Sequence, residues 1–223
     1  MPRPSRNHDR LLIEAAKKLL PELGASGMSL KMLSDEAGVN PGIFYYHFKS
    51  KSNFIRIVLE SFIEDARKEI EIEIPANIPS IKKLQHCLMS IGKIFRGHCR
   101  LAVSMYRDLL NKDPDITSFL VSSIEDQISF LKPLIEECQK DSYIRKHYTL
   151  QEILSFCLAG IKTPIVLSKV LELLSDDNSE HMEKLKKELI TDEAITRRAE
   201  MAIMGIVSEK GRQKLLTSNT GTN

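Results

Sequence analysis

The sequence lacks catalytic signatures, paired cysteines, a long apolar run and a strong net charge. Each absence narrows the function. There is no H-E-x-x-H, no P-loop and no G-x-G-x-x-G, and the six histidines never fall at metal-ligand spacing. An enzyme, a bound cofactor and a metal centre are therefore not expected. Cys87, Cys99, Cys138 and Cys157 are far apart and form no C-x-x-C pair. They are expected to be reduced and packed as small apolar residues, with a redox-sensing pair as the alternative. Ile153 to Ile161 is the longest apolar run, and Lys162 ends it short of a membrane span. The leading MPRPSRNHDR has no apolar stretch, so no signal peptide and a cytoplasmic protein are expected. Strand-like alternation and repeats are missing as well, which leaves an all-α fold. The formal net charge of +2 excludes a polycation.

What the chain does have is a sizeable apolar fraction (42% hydrophobic), a well-charged surface (28% charged) and an uneven charge distribution. Residues 1–60 hold nine Lys/Arg against six Asp/Glu, and the remaining residues hold 23 against 24. The small positive excess sits beside the most informative stretch, SLKMLSDEAGVNPGIFYYHFKSK, from Ser29 to Lys51. Leu30, Leu33 and Ala37 make one apolar stripe, and Phe44 and Phe48 another. Gly38 suits the left-handed end of a first short helix. Val39 can plug the gap between the helices. Asn40 can N-cap a second helix, with Pro41 at its first position. This is the pattern of a helix-turn-helix, whose second helix enters the DNA major groove. A plain helical corner would share these features. It would gain nothing from the polar tips of Tyr45, Tyr46, His47 and Lys51, which a phosphate backbone can use.

The segment GVNPGIFYYHFKSK, Gly38 to Lys51, resembles the signature of the TetR family of bacterial transcription regulators. LLIEAAKKLLPELG, Leu11 to Gly24, is similar to that family's first helix, and the likeness covers residues 8–60. The resemblance implies backbone anchoring by Tyr45, His47 and Lys51, and sequence choice tuned by Asn40 to Gly42. Pro41 stands where many relatives carry a basic residue, so one contact is expected to be missing. The residues themselves add Ser29, Lys31, Gly42 and Tyr46 as DNA-facing candidates, with Phe44 and Phe48 assigned to core. Tyr45 suits a thymine methyl with its ring and a phosphate with its hydroxyl. Arg3 and Arg6 belong to a leading segment read as flexible.

Elsewhere the spacing predicts helices. The first closes at Gly24. Ser50 caps a fourth, about 51–73, with Ile55, Val58, Leu59, Phe62 and Ala66 inward, and IPANIPS follows as a linker. Further helices are expected near 80–97, 101–111, 115–140, 150–174 and 192–213. The inner stripe of 115–140 is Ile116, Leu120, Ile124, Leu131, Ile135 and Cys138, with a kink at Pro133. Local irregularity is expected at 160–164 because of Pro164. SDDNS (175–179) reads as a loop, and His181 as a surface helix residue. The domains expected are a helix-turn-helix domain over 1–53, a helical regulatory and dimerisation domain over 54–215, and a disordered tail over 216–223. Helix 150–174 is apolar nearly all round, so part of it should meet a second copy, beside a smooth face of Ala199, Ala202, Ile203 and Gly205 on 192–213.

The function expected is a dimeric DNA-binding regulator acting on a double-stranded palindromic operator. The family resemblance implies repression relieved by a small-molecule effector, with activation in a minority. Met89, His98, Met105, Tyr106, Phe119, Phe130 and Cys157 are candidates for the effector pocket, although core packing is the stronger explanation for each. The rival class is a helical interaction scaffold that binds no DNA.

Overall fold

The computed structural model describes residues 7–75, 77–174 and 180–217. Among these residues are eleven helices, no strand, and one isolated antiparallel bridge between Ile144 and Val207. In chain order the helices are α1 (His8–Gly27), α2 (Leu30–Ala37), α3 (Pro41–Phe48), α4 (Lys51–Glu73), α5 (Ser80–Gly97), α6 (Cys99–Leu110), α7 (Pro114–Lys140), α8 (Leu150–Leu174), α9 (Glu180–Ile190), α10 (Asp192–Ile206) and α11 (Glu209–Thr217). They form two compact units. One combines the residues up to Asp65 with Arg100–Ser123; the other combines Ala66–Cys99 with the residues from Ile124 onward.

The first unit is organised around α1. Leu12, Ala15, Ala16 and Leu20 form its buried stripe. Against it pack Leu33 of α2, Phe44 and Phe48 of α3, and Phe54, Ile55, Val58 and Leu59 of α4. Leu101, Met105, Ile116 and Phe119, from α6 and the start of α7, complete this core. Phe54 is absent from the stripe that periodicity alone assigns to α4, yet it is fully buried against the rings of Phe44 and Phe48, with centroids 5.1 and 4.6 Å away. Lys18 reaches Glu36 at 3.0 Å and Lys17 reaches Asp65 at 2.7 Å, tying α1 to α2 and α4 across the surface.

α1 does not simply close at Gly24. The helix breaks there, with φ 72° and ψ 175°, then makes another turn to Gly27. That conformation is nearly reserved for glycine. Asp108 of α6 is buried and accepts the Ala25 amide at 2.7 Å, so a carboxylate from a distant helix caps the restarted turn. Arg107 donates to the Leu23 carbonyl at 2.7 Å, and Ser104 to the Leu20 carbonyl at 3.1 Å. The carbonyls left open by the break are thereby satisfied.

The second unit buries Ile81, Leu84, Cys87 and Leu88 of α5, Leu131, Ile135 and Cys138 of α7, Ile153, Leu154, Cys157 and Ile161 of α8, and Ala199, Ala202, Ile203 and Ile206 of α10. Gly92 permits the close α5 crossing, since a Cβ there would lie 2.6 Å from Ile195 and 2.9 Å from Ile161. Several sequence expectations change here. Ile124 is exposed at 57%, not inward, because the stripe of α7 only turns into this core from Leu131. α8 is helical without interruption through 160–164, so Pro164 is absorbed without a break. The single helix expected over 192–213 is two: the chain straightens at Val207, which pairs with Ile144, and Ser208 donates to the Tyr143 carbonyl at 2.9 Å before α11 begins. α11 also takes in Leu216 and Thr217, placed in the tail by sequence. Ala199, Ala202 and Ile203 are spent on the chain's own core and leave only Gly205 exposed from the smooth face expected there. Arg3, Arg6, His181's side chain, SDDNS and 218–223 lie outside the described residues.

By length and composition α8 is also apolar enough to cross a membrane, with mean hydropathy 1.6 over Leu150–Leu173, so ending the apolar run at Lys162 understates it. Its inner face instead seals the second core, a role that passes the same hydropathy test. The break at Gly24 gives a sharp prediction. Gly24→Ala should lose about 2–3 kcal/mol in urea unfolding with the m-value unchanged, because a methyl there meets Arg107 and Asp108 at 2.6 Å in a strained backbone.

Candidate nucleic-acid interface

The turn between α2 and α3 forms as its residues dictate. Ser29 caps α2 by accepting the Met32 amide at 3.2 Å. Gly38 takes the left-handed conformation (φ 64°, ψ 33°), and its amide returns to the α2 carbonyls. Val39 is half-buried against the first core. Asn40 caps α3 by accepting the Gly42 amide at 2.8 Å, with Pro41 behind it. A Cβ at Gly42 would sit 3.3 Å from the Asn40 oxygen, so the glycine protects the cap as well as allowing close approach.

α3 is only eight residues long and divides sharply. Phe44 and Phe48, one turn apart, are buried at 0% and 4% exposure. Tyr45 and Tyr46, between them, are exposed at 58% and 84%. Tyr45 stands edge-on to Phe44 with centroids 5.4 Å apart, and Tyr46 edge-on to His47 at 5.1 Å. The rings are thus braced at their bases while both hydroxyls face outward. His47 and Lys51 are half-buried beside them; Ser29, Lys31, Asn40, Pro41 and Gly42 are exposed. Seven of the nine sequence-derived candidates lie on the turn, on α3 and at the first residue of α4, whereas Ser29 and Lys31 stand at the N-terminal end of α2.

One neighbour was not legible. Lys49, which ends α3, has φ 64° and ψ −41°, and the Ser50 amide donates back to the Phe48 carbonyl at 2.7 Å. This is a γ-turn with positive φ, a rare and strained conformation for a residue with a side chain. Asn53 donates its side-chain amide to the same Phe48 carbonyl at 3.1 Å and holds the turn closed. Ser50 in turn caps α4 by accepting the Asn53 amide at 3.1 Å. The result places exposed Lys49 between His47 and Lys51, a run of donors suited to phosphate oxygens. The positive φ depends on the chain reversing between two helices, which residue spacing does not announce.

The pocket candidates scatter. Met105 and Phe119 are buried in the first unit's core. Tyr106 and His98 are exposed. Met89 and Phe130 are half-buried against the second core, and Cys157 is within it. Of these only Phe130 lines the cleft of about 310 Å³ in the second unit, together with Glu71, Ile74, Pro75, Lys83, Cys87 and Leu134. All four cysteines are buried and free. Burial pushes the Cys87, Cys138 and Cys157 thiols up to about 12 and raises Cys99, against a lowering by Lys169. The nucleophilic thiolate is therefore scarce at neutral pH.

Comparison with known proteins agrees with this geometry. Residues 12–56 match the family described as bacterial regulatory proteins, tetR family. The chain is 26% identical over 168 residues to the HTH-type transcriptional repressor DhaR of Mycobacterium sp. (strain GP1), covering 75% of this chain and 83% of the relative. Its fold is similar to Salmonella enterica GusR (TM-score 0.66, 16% identity, 92% of this chain and 98% of the other). It is also similar to the transcriptional regulator FadR from Bacillus subtilis in complex with stearoyl-CoA (TM-score 0.62, 16% identity, 82% and 98%).

Two outcomes are expected. Replacing His47 and Lys51 together by alanine should weaken duplex binding on the order of tenfold or more in low salt, and reduce the slope of log affinity against log salt by about one for the lysine. In the folded protein Cys87, Cys138 and Cys157 should react with iodoacetamide at pH 8 far more slowly than in urea, as read by mass spectrometry; equal rates would contradict their burial.

Proposed function

We propose that this chain, a DNA-binding transcriptional regulator that belongs to the TetR family, acts as a homodimeric repressor of a palindromic operator and is released from it by a small-molecule effector. The observation that carries the reading is the division of α3, whose phenylalanines anchor it while Tyr45 and Tyr46 stand out into solvent. A helix in a structural corner has no use for two exposed tyrosines flanked by His47, Lys49 and Lys51. In the proposed complex α3 lies in the major groove, with Asn40, Gly42, Tyr45 and Tyr46 nearest base edges. Ser29, Lys31, His47, Lys49 and Lys51 meet phosphates. Ser29 and Asn40 each already use one acceptor in capping, so both approach DNA as donors.

The dimer reading rests on the outer face of α8. Phe156, Leu167 and Leu173 are exposed at 55%, 50% and 63%, and Met201 and Met204 of α10 at 71% and 38%. Phe156 lies against Gly205, where a Cβ would come within 2.9 Å of its ring, so the two helices present one continuous apolar surface. A second copy is the proposed occupant, and pairing two heads lets their contacts add on a two-fold symmetric site. Repression is supported by the role named for DhaR, and an effector by the acyl-CoA bound in FadR; both remain properties of those proteins. A regulator of this kind works in the cytoplasm, where its operator is.

Selection of bound duplexes from a random pool should return an inverted repeat whose affinity falls steeply with salt. Sedimentation should give a dimer, and Phe156→Glu should yield monomers with much weaker operator binding. A monomeric wild type, or a selected site without symmetry, would remove the dimer from the reading while leaving DNA binding to stand.

A further inference from the structure

The second unit contains a half-buried lysine with no anionic partner among the described residues. Lys162 lies on α8 at the end of its most apolar stretch. Its ammonium donates to Oε1 of Gln127 on α7 at 2.5 Å and stands 5.3 Å from the ring centre of Phe95 on α5. Both partners are neutral. Among the described residues no carboxylate forms an ion pair with it, although Lys169, two turns further along α8, pairs with Glu172. Burial alone pulls the Lys162 pKa down to about 8, with no acidic neighbour lifting it back. A cation in this setting gives up solvation and gets only a neutral amide and an aromatic face in return.

The cleft already described lies beside the same two helices. Lys83 and Cys87 of α5 line it with Phe130 and Leu134 of α7. Further along, outside the cleft, Phe95 of α5 and Gln127 of α7 meet at Lys162. The two helices therefore pass in opposite directions, and their facing side chains run from the cleft towards the lysine. From Cys87 to Phe95 is eight residues, roughly 12 Å of helix. Half-buried Ile91 and Phe130 lie along the way. Within this unit α5, α8 and α10 pack closely on one another, whereas the α7 backbone stands off and fills the gap with side chains. Side chains can move aside for a ligand more cheaply than packed backbones.

We propose that Lys162 is the anchor of the effector site and that the effector is an amphiphilic organic carboxylate. Its head ion-pairs with the ammonium in place of, or beside, Gln127, and its apolar part lies along the α5–α7 seam towards the cleft. An ion pair replaces a hydrogen bond to a neutral acceptor, and the half-buried ammonium gains the counter-charge it lacks. This rests on the effector reading given above and adds its chemical class.

The test uses the full chain and matched pairs of probes: hexanoate, decanoate, hexadecanoate and benzoate, each beside its primary amide. Calorimetry and thermal shift should find at least one acid bound on the order of tenfold or more tighter than its amide. Lys162→Met should bring that acid down to the level of its amide, and Lys162→Arg should keep the preference. Gln127→Glu leaves the lysine in place but gives it an internal counter-ion. It should raise the melting temperature and weaken the acid in the same way, so the result does not hang on how well Lys162→Met folds. No acid preferred over its amide, or a preference that survives both Lys162→Met and Gln127→Glu, overturns the proposal. Duplex binding is measured in parallel on the same samples. A chain that binds an inverted repeat but shows no acid preference loses only this inference, whereas one that binds no duplex loses the regulator reading itself.

Discussion

The packing of Phe44 and Phe48 onto Phe54 is the interaction on which the surface proposed to face DNA depends. An eight-residue helix is far too short to persist in water by itself. α3 exists because two of its rings are buried in a core built by α1, α2 and α4. The same burial fixes its rotation. With positions 44 and 48 facing inward, positions 45 and 46 must face outward, and the two tyrosines need no further device to be presented. Truncating Phe54 would loosen both inward rings at once, although it lies outside the motif.

The first unit is larger than the motif that identifies it. Its core needs Leu101 and Met105 from α6 and Ile116 and Phe119 from α7. The turn after Gly24 needs the Asp108 carboxylate. The chain passes between the units three times, each time within a helix: in α4, at the start of α6 and in α7. Within the first unit Ser104, Arg107 and Asp108 of α6 grip three points on the end of α1.

The features legible in the sequence were the ones encoded locally. Ser29, Gly38, Asn40 and Pro41 act within one turn of themselves, and a cap or a left-handed glycine looks the same in any protein. The alternation of Phe44 and Phe48 with Tyr45 and Tyr46 is equally local. What escaped, apart from the strained turn at Lys49, was set by residues far away in the chain. Lys49 adopts positive φ because α4 must leave in a new direction, and Asn53 secures it. The helix expected over 192–213 splits because Tyr143 and Ile144, some sixty residues earlier, pair with Ser208 and Val207. Ala199, Ala202 and Ile203 looked suited to a partner because small residues permit close approach, yet they are taken up by the core that α10 shares with α5 and α8 of the same chain. Lys162 registered only as the end of an apolar run; its meaning lies in what α5 and α7 bring to it.

α8 carries three incompatible-looking demands, and its composition follows from all of them. Its inner face must seal a core, which accounts for Ile153, Cys157, Ile161 and Ile165. Its outer face leaves Phe156, Leu167 and Leu173 partly in water, so each forgoes part of the about 1.5–3 kcal/mol that full burial would contribute. The proposed second copy would supply that burial. Between the two faces Lys162 introduces charge where neither core nor partner can use it. A helix meant only to fill a core would carry an aliphatic residue there, and one meant only to pair would carry no buried cation. The proposed pairing of copies and the proposed capture of a charged ligand therefore draw on adjoining parts of one helix, since Lys162 and Leu173, eleven residues apart, lie nearly in line along it.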